Sequence, residues 1–192
     1  MGKTILFVCT GNTCRSPMAE GLLRKMAKEA GLSLDVHSAG VAAMEGSSIS
    51  SHSQKVLADK GIESGRSAQA VKEPLVAGAD LILTMTVRHK NQLLSRFPAA
   101  EGKVFTLLEY AGSGSEEEQA DADRELAELV TKHSLGGKLT AAERERALFL
   151  ESLAQDQDIS DPFGGTLEDY RICARDIEDA LKRIVERLKR EE

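Results

Sequence analysis

Hydrophobic and polar residues follow two different patterns along the first 110 residues of this chain. A short continuous apolar run, typical of a parallel strand that is buried on both faces, covers residues 5–8, and further strands are predicted at residues 34–38, 80–85 and 104–107. Longer segments with apolar residues at helical spacing cover residues 16–30, 53–60 and 86–97. Parallel strands separated by helices are joined by right-handed crossovers. The pattern therefore predicts an α/β fold, a doubly wound, four-stranded parallel sheet with helices on both faces.

The ends of the first and last helices are marked by particular residues. Ser16 is the expected N-terminal cap of the first helix, which has a proline in its first turn, and Gly31 is expected to end it. The last helix has the clearest pattern, because Thr166 can cap it and apolar residues then recur every three or four positions as far as Leu188. Cys173 lies on this apolar stripe, so we expect it to be buried in the core.

Residues 112–158 do not follow the alternation of strands and helices. The segment opens with an acidic stretch that contains glycine and serine, and the sequence TAAE at residues 140–143 has the form of a capping box. We expect a helical insertion here, and the alternative is a partly disordered loop. One helix face of the insertion would carry Ala142, Phe149 and Leu153. With this insertion, residues 1–192 are expected to form a single domain.

Composition and charge narrow the functional classes. A net charge of −6 argues against a broad nucleic-acid-binding surface. No apolar run approaches the roughly 18–20 residues needed to cross a bilayer, and no signal peptide precedes the first strand, so we expect a cytoplasmic protein with no membrane partner. The three cysteines, at positions 9, 14 and 173, suit neither a disulfide framework nor a tetrahedral metal site, and we expect no bound metal.

The stretch CTGNTCRS, residues 9–16, connects the first strand to the first helix, where α/β sheets bind their ligands. Backbone N–H groups in such a turn, together with the helix N-terminus, form a cradle for an anion. The same groups would stabilise a thiolate on Cys9, to which Ser16 could donate a hydrogen bond, and Arg15 could bind two oxygens of a phosphate group. The glycine patterns of nucleotide-binding loops are absent. The stretch thus indicates a nucleophilic cysteine in a phosphate-binding loop.

A cysteine that accepts a phosphoryl group also needs an acid to protonate the leaving group and a base to activate water. The stretch DPFGG, residues 161–165, lies just before the last helix, and its proline and glycines predict an exposed loop. We therefore expect Asp161 to serve as the acid and then as the base.

Three motifs, CTGNTCRSPMAEG, DVHSAG and DPFGG, together resemble the low-molecular-weight protein tyrosine phosphatase family. The resemblance covers residues 3–110 and 158–188. It implies a flavodoxin-like phosphatase domain, a phosphorylated protein as substrate, a cysteinyl-phosphate intermediate, and no metal or other cofactor. The chain departs from the family pattern in two places. Residues 112–158 are longer than the usual connection, and no histidine follows the Gly-Ile pair at 61–62, where the family often has one.

The resemblance also implies roles for individual residues. By this resemblance Cys9 is the nucleophile, Arg15 binds the phosphoryl group and Asp161 is the general acid. Ser38 supports the loop through Asn12. The residues expected to contact the substrate are Thr10, Gly11, Asn12, Thr13, Cys14, Ser16 and Phe163.

Two sequence features narrow the choice of substrate. Family members that act on phosphotyrosine usually carry a bulky aliphatic residue where this chain has Thr13, and Asp-Pro-Phe here replaces Asp-Pro-Tyr, so the chain resembles the bacterial protein arginine phosphatase branch. A smaller, polar wall leaves room for a guanidinium that Asp161 can hold. We therefore expect phosphoarginine as the substrate, with phosphotyrosine as the alternative. An arsenate reductase of this fold would need further cysteines, and an inactive phosphopeptide-binding module would lack Cys9, Arg15 or Asp161, so both are less favoured.

Cys14 belongs to the same short loop as Cys9. An activated thiolate is the form that peroxide oxidises, and a sulfenic acid on Cys9 could condense with Cys14 into a reversible disulfide. We therefore predict a redox role for the pair. The alternative is that Cys14 only packs within the loop.

Overall fold

The computed structural model describes residues 2–64, 66–112, 116–155 and 157–191. Its strands are β1 (Lys3–Cys9), β2 (Leu34–Gly40), β3 (Leu81–Thr84) and β4 (Val104–Thr106). Its α-helices are α1 (Arg15–Ala30), α2 (Ser51–Asp59), α3 (Glu73–Gly78), α4 (Val87–Arg96), α5 (Leu107–Gly112), α6 (Glu116–Ser134), α7 (Ala141–Gln155) and α8 (Leu167–Glu191). A short 3-10 helix, Pro98–Lys103, lies between α4 and β4. Within the described ranges, no helix combines the length and the apolar character that crossing a membrane requires.

The strands form a four-stranded parallel sheet in the order β2-β1-β3-β4. β1 is central, with Cys9 opposite Gly40 on β2 and Val8 opposite Thr84 on β3. The sheet order and the helices on both faces confirm the predicted flavodoxin-like fold. Because all the strands run in one direction, their carboxyl ends meet at one edge of the sheet, and Cys9 lies at that edge.

The continuous apolar run of β1 contributes to two hydrophobic cores. Ile5 and Phe7 pack on one face of the sheet with residues of α1, α2 and α8. Leu6 and Val8 pack on the other face with residues of α3 and α4. Successive strand residues point to opposite faces, so a strand covered on both sides needs an unbroken apolar sequence. The same packing fixes the position of the sheet edge at which Cys9 lies, because β1 is held between two layers.

The start of α1 differs from the sequence prediction. The helix begins at Arg15 with Cys14 as its N-terminal cap residue, and Cys14 makes no side-chain capping hydrogen bond. Ser16 lies inside the helix, and its hydroxyl group bonds to Cys9 and Asn12 instead of the helix N-terminus. The prediction of Ser16 as the cap was therefore wrong, because the hydroxyl group is used by the loop. The predicted end is correct, since Gly31 has a φ of 73° and adopts the left-handed conformation.

The start of α8 follows the sequence prediction. The Thr166 hydroxyl accepts a hydrogen bond from the backbone N–H of Asp169 at 3.4 Å, and the Asp169 carboxylate accepts one from the N–H of Thr166 at 2.7 Å. This reciprocal pair satisfies N–H groups that would otherwise be free at the helix N-terminus. Cys173 is fully buried on the apolar face of α8, as its place on the stripe predicts.

The sequence pattern predicts neither α3, nor the short 3-10 helix, nor α5. Each has only six residues. This is at most two helical turns, so an apolar periodicity cannot develop. Leu107, assigned to the fourth strand from the sequence, instead begins α5 and is fully buried there.

Between residues 112 and 158 the chain forms α6 and α7. The capping box expected at the start of α7 is present. The Thr140 hydroxyl accepts from the N–H of Glu143 at 3.2 Å, and the Glu143 carboxylate accepts from the N–H of Thr140 at 2.8 Å. Arg146 of α7 forms an ion pair with Glu125 of α6 at 2.8 Å. These contacts join the two helices as neighbours.

The face of α7 that was expected to carry Ala142, Phe149 and Leu153 is not buried at the side chains that the structure describes. Ala142 and Phe149 are exposed, whereas Leu150 is buried. The side chain of Leu153 lies outside the described residues. The guanidinium group of Arg146 lies 5.5 Å from the centroid of the Phe149 ring. This cation–π contact explains how the ring is accommodated at the surface without entering a core.

Candidate active site

Cys9 lies at the carboxyl end of β1 and is 3% exposed. The backbone N–H of Asn12 donates a hydrogen bond to its Sγ at 3.3 Å, and Ser16 Oγ lies 3.1 Å from the same sulfur. Both groups can donate to a negatively charged sulfur, as predicted for the loop. The chain thus directs two hydrogen-bonding groups at one cysteine within a single turn.

Asn12 determines the shape of this turn. It has a φ of 54° and is the non-glycine residue with positive φ in the described part of the chain. Its buried side-chain amide donates to Ser16 Oγ and to Ser38 Oγ, both at 2.9 Å, and its Oδ1 accepts from the N–H of Gln69 at 2.9 Å. These bonds compensate for the unfavourable backbone conformation. The contact between Ser38 and Asn12 is the one expected from the sequence.

Gly40 allows the loop to lie close to β2. A Cβ atom at this position would lie 2.5 Å from the carbonyl oxygen of Thr10 and 2.9 Å from the backbone nitrogen of Asn12. Both neighbours are backbone atoms, so they cannot move aside without changing the loop. Any side chain at Gly40 would therefore displace the turn that surrounds Cys9.

Glu20 and Gln69 support the loop, and the sequence analysis missed both. Glu20 is buried on α1, accepts a hydrogen bond from Ser38 Oγ, and forms an ion pair with Arg24 at 2.8 Å. The side-chain amide of Gln69 donates to the carbonyl oxygen of Ser38 at 2.9 Å. These residues stabilise Ser38, and through it Asn12, although no histidine follows residues 61–62. The available signal was a carboxylate on the otherwise apolar face of α1, since buried acids need partners.

Arg15 brings the cysteine loop together with the loop before α8. Its side chain is almost fully buried. Its Nη2 forms an ion pair with Asp161 at 2.7 Å, and its Nη1 donates to the carbonyl oxygen of Ile159 at 3.1 Å. Its Nε is buried and has no hydrogen-bond partner among the described residues. A buried donor without a partner is costly, so the arrangement favours binding of an anion that accepts from this group.

The loop that carries Asp161 is anchored at three points. The carboxylate of Asp158 accepts from the N–H of Val87 at 2.7 Å, and the N–H of Ile159 donates to the carbonyl oxygen of Met85 at 2.8 Å. The Cys173 thiol lies 3.6 Å from the carbonyl oxygen of Ser160. Burial raises the pKa of Cys173 to about 12, so this group is a neutral thiol at neutral pH. A neutral, buried thiol also fits poorly with the disulfide shuttle of an arsenate reductase.

Asp161 and Phe163 are placed differently from the buried cysteine. The side chain of Asp161 is 52% exposed, and its Oδ1 accepts from the backbone N–H of Phe163 at 3.2 Å. Phe163 is 78% exposed. The structure therefore brings Cys9, Arg15 and Asp161 to one site, in which the Asp161 carboxylate is half-exposed and the nearby Phe163 ring is exposed.

Cys14 and Thr13 complete the loop on the side of α8. The Cys14 thiol is buried and lies 3.2 Å from the Tyr170 hydroxyl and 3.5 Å from Thr13 Oγ1. Burial is also the main cause that raises the pKa of Tyr170, so its phenol stays neutral. All three cysteines are free in this structure, and the redox pairing of Cys14 with Cys9 stays a prediction. The contact with Tyr170 means that the Cys14 side chain packs against the protein rather than facing solvent.

His89 is a third residue that the sequence analysis missed. Its ring is buried, with Nε2 2.8 Å from Thr10 Oγ1 and Nδ1 2.9 Å from Thr86 Oγ1. Burial, and then the positive charge of Arg15, lower its pKa from 6.5 to about 4. The ring is therefore neutral at neutral pH and joins the first turn of α4 to the cysteine loop. A lone histidine four residues before an apolar leucine on a helix gave no specific signal.

Lowering the pH from 7 to 4.5 is expected to destabilise the protein partly through His89. The unfolded chain binds a proton at about pH 6.5, whereas the folded protein does so only near pH 4. Stability contributed by the neutral ring is thus complete above about pH 6.5 and is lost progressively as the pH falls toward 4. The expected loss is on the order of 2–3 kcal/mol at pH 4.5.

Urea unfolding at the two pH values tests this expectation. His89→Gln should show a smaller pH dependence than the parent protein, because it lacks the buried titrating ring. His133→Gln changes an exposed histidine on α6 and should behave as the parent does. An unchanged pH dependence in His89→Gln would contradict the neutral ring.

Comparisons with known proteins agree with this geometry. The model of the low molecular weight phosphotyrosine protein phosphatases matches residues 4–124. The chain is 36% identical over 192 residues to the protein-arginine-phosphatase of Geobacillus stearothermophilus, with 100% of both chains covered. It is 33% identical over 187 residues to the protein-arginine-phosphatase of Bacillus subtilis (strain 168), with 97% of both chains covered.

A solved structure is also similar to this chain over nearly its full length. It is a cysteine-to-serine mutant of YwlE arginine phosphatase with a phosphorylated active-site serine. It matches with a TM-score of 0.73 and 32% identity and covers 97% of this chain and 95% of that chain. The family model ends within α6, whereas these full-length matches extend over the Asp161 loop as well. On the fold, the cysteine loop and these matches, the chain belongs to the low molecular weight phosphotyrosine protein phosphatase family.

Proposed function

We propose that this chain is a protein arginine phosphatase, which removes the phosphoryl group from phosphoarginine side chains through a cysteinyl-phosphate intermediate. The observation that carries the proposal is the convergence of Cys9, Arg15 and Asp161 at the carboxyl edge of the sheet. The two full-length relatives are named protein-arginine-phosphatases, which supports the choice of substrate.

In the first step the Cys9 thiolate attacks phosphorus. The S–P bond forms and the P–N bond breaks, and the leaving nitrogen takes a proton from Asp161. The N–H of Asn12 and the hydroxyl of Ser16 stabilise the thiolate before attack, as their positions 3.3 Å and 3.1 Å from the sulfur allow. The free Nε–H of Arg15 donates to a phosphoryl oxygen.

In the second step a water molecule attacks the phosphorus of the intermediate. The P–S bond breaks, the thiolate is restored, and Asp161 accepts the proton of the water. Asp161 is suited to both steps because its carboxylate is half-exposed and therefore reachable by substrate and water. The phosphorylated serine of the related YwlE mutant supports a phosphoenzyme, since it occupies the position of that protein's active-site residue.

Neither step requires a metal or another cofactor, and we propose that the enzyme uses none. The substrate is a phosphorylated protein, with Phe163 at the entrance of the site. Thr10, Gly11, Thr13 and Cys14 contribute loop backbone around the phosphoryl group. A cytoplasmic location stays a prediction.

Thr13→Ile is expected to shift the substrate preference toward phosphotyrosine. Thr13 is half-buried, and its carbonyl oxygen is held by the N–H of Ser50 at 2.9 Å, so a new side chain would stay at the same place in the loop. Isoleucine adds an aliphatic contact that favours a phenol ring and crowds a hydrated guanidinium. Such a contact discriminates by about 1–3 kcal/mol, so the ratio of kcat/KM for phosphotyrosine over phosphoarginine should rise roughly 10–200-fold.

Side-by-side turnover of both substrates by both proteins tests the proposed function and this prediction. The parent should prefer phosphoarginine. An equal decrease of both activities in Thr13→Ile would mean that Thr13 serves only the structure of the loop. A parent protein that hydrolyses phosphotyrosine and ignores phosphoarginine would instead be a tyrosine phosphatase, the alternative that the family description favours.

A further inference from the structure

A cavity of about 500 Å³ extends from the catalytic residues along the first turns of α4. Its lining includes Thr10, Arg15 and Asp161 of the catalytic site and also Arg88 and Gln92 of α4. A phosphorylated side chain that reaches Cys9 belongs to a peptide whose neighbouring residues must lie near this opening. Arg88 and Gln92 line the same cavity as the catalytic residues, so they can contact residues that flank the phosphorylated one.

Arg88 is the unpaired charge of this cavity. Its side chain is exposed and forms no hydrogen bond or ion pair with any described residue. The other charged groups of the lining are already engaged, because Arg15 pairs with Asp161 and the carboxylate of Asp158 accepts from the N–H of Val87. His89 adds no charge, since burial keeps it neutral at neutral pH.

The backbone that carries Arg88 is rigid relative to the cysteine loop. The residue before it, Val87, is bound by Asp158, and the residue after it, His89, is bound at both ring nitrogens by Thr10 and Thr86. Residues on both sides of Arg88 are thus tied to elements of the catalytic site. These bonds hold the backbone of Arg88 at a fixed distance from the reacting atoms, and the guanidinium group can then reach only the substrate residues next to the phosphorylated one.

We propose that Arg88 forms a subsite for an acidic side chain of the protein substrate, close in sequence to the phosphorylated arginine. The inference rests on the proposed function and extends it from the reacting group to the surrounding peptide. A carboxylate is the complementary partner for a guanidinium that has none, and it can accept two parallel hydrogen bonds from it. Gln92 lies one turn further along α4, on the same face, and its amide can donate to the same carboxylate.

Peptide pairs that differ only in glutamate against glutamine test the proposal. One pair is made for each of the two positions before and the two positions after phosphoarginine. At one or more positions the parent should hydrolyse the glutamate peptide with a kcat/KM about threefold to fivefold higher, the size expected for a solvent-exposed ion pair. The difference should lie in KM and should decrease as salt is added.

Variants at Arg88 then separate a subsite from a general effect of charge. Arg88→Gln should bring the glutamate-to-glutamine ratio to about one, and Arg88→Glu should invert it. Arg183→Gln, which removes an exposed arginine on α8, is the matched control and should keep the parent ratio. A ratio that stays unchanged in Arg88→Gln, or a parent with no preference at any position, would overturn the subsite.

Failure of the proposed function would be visible separately. A parent that ignored all phosphoarginine peptides but hydrolysed phosphotyrosine peptides would contradict arginine as the substrate. The same glutamate and glutamine pairs, built around phosphotyrosine, would still decide whether Arg88 selects acidic neighbours.

Discussion

Cys9→Ser is expected to lower kcat by at least about a thousandfold, with phosphoarginine and with an aryl phosphate alike. A serine hydroxyl is a poor nucleophile at neutral pH unless a base removes its proton. The groups hydrogen-bonded to the Cys9 sulfur are the Asn12 N–H and the Ser16 hydroxyl, and neither is a base. The neutral ring of His89 bonds to Thr10 and Thr86, so both of its nitrogens are engaged away from the sulfur.

The fold should survive this substitution. Serine is close to cysteine in size, and its hydroxyl can keep the bonds to Asn12 and Ser16. The unfolding midpoint in urea and the affinity for inorganic phosphate should therefore stay close to those of the parent, while steady-state turnover is lost. A Cys9→Ser protein that kept more than about a hundredth of the parent kcat would contradict the covalent role of this residue.

The sheet and the long helices could be predicted because their apolar spacing is a local property of the sequence. β1 is read from four consecutive apolar residues, and α8 from a stripe that repeats over its whole length. α3 and α5 are too short for a period, and their residues are buried because of partners that are distant in sequence. Ser16 shows a different limit, since a serine before a proline suits a cap or a loop contact equally well.

The residues of the candidate site also divide into those that local sequence indicates and those that depend on contacts distant in sequence. Cys9 and Arg15 lie within one loop, so their spacing alone indicates a phosphate-binding turn. Asp161 is far away in sequence, and the DPFGG motif together with the family resemblance was needed to connect it with them. Glu20 lies within the first motif but is given no role by it, and His89 lies in no motif. Both act through contacts, with Ser38 and Thr10 respectively, that only the folded chain brings together.

Asp161→Asn is expected to lower kcat/KM for phosphoarginine by about 10²–10⁴-fold, the usual contribution of a general acid. Asparagine can keep the hydrogen bond from Arg15 through its amide oxygen, but it has no carboxyl proton to give. The loss should depend on the leaving group. The nitrogen of phosphoarginine leaves poorly unless it is protonated, whereas an activated aryl phosphate releases a phenolate that is already stable. The kcat/KM for the aryl phosphate, which does not include hydrolysis of the intermediate, should therefore fall much less.

Asp158→Asn is the matched control for this prediction. Asp158 lies in the same loop, but its carboxylate accepts from the N–H of Val87 and makes no ion pair with Arg15. The amide oxygen of asparagine can accept the same bond, so the loop should stay in place and activity should change by no more than about threefold, within the modest net value of one hydrogen bond.

The comparison of leaving groups then decides what Asp161 does. If it is the acid, the ratio of the two substrates' kcat/KM values changes by at least about tenfold between the parent and Asp161→Asn, because only the poor leaving group needs the proton. If it serves only to orient Arg15, through the 2.7 Å ion pair, both substrates lose activity equally, since both carry the phosphoryl group that Arg15 binds. An equal loss would therefore reassign Asp161 from proton transfer to the positioning of Arg15, and would leave the leaving nitrogen to be protonated by solvent.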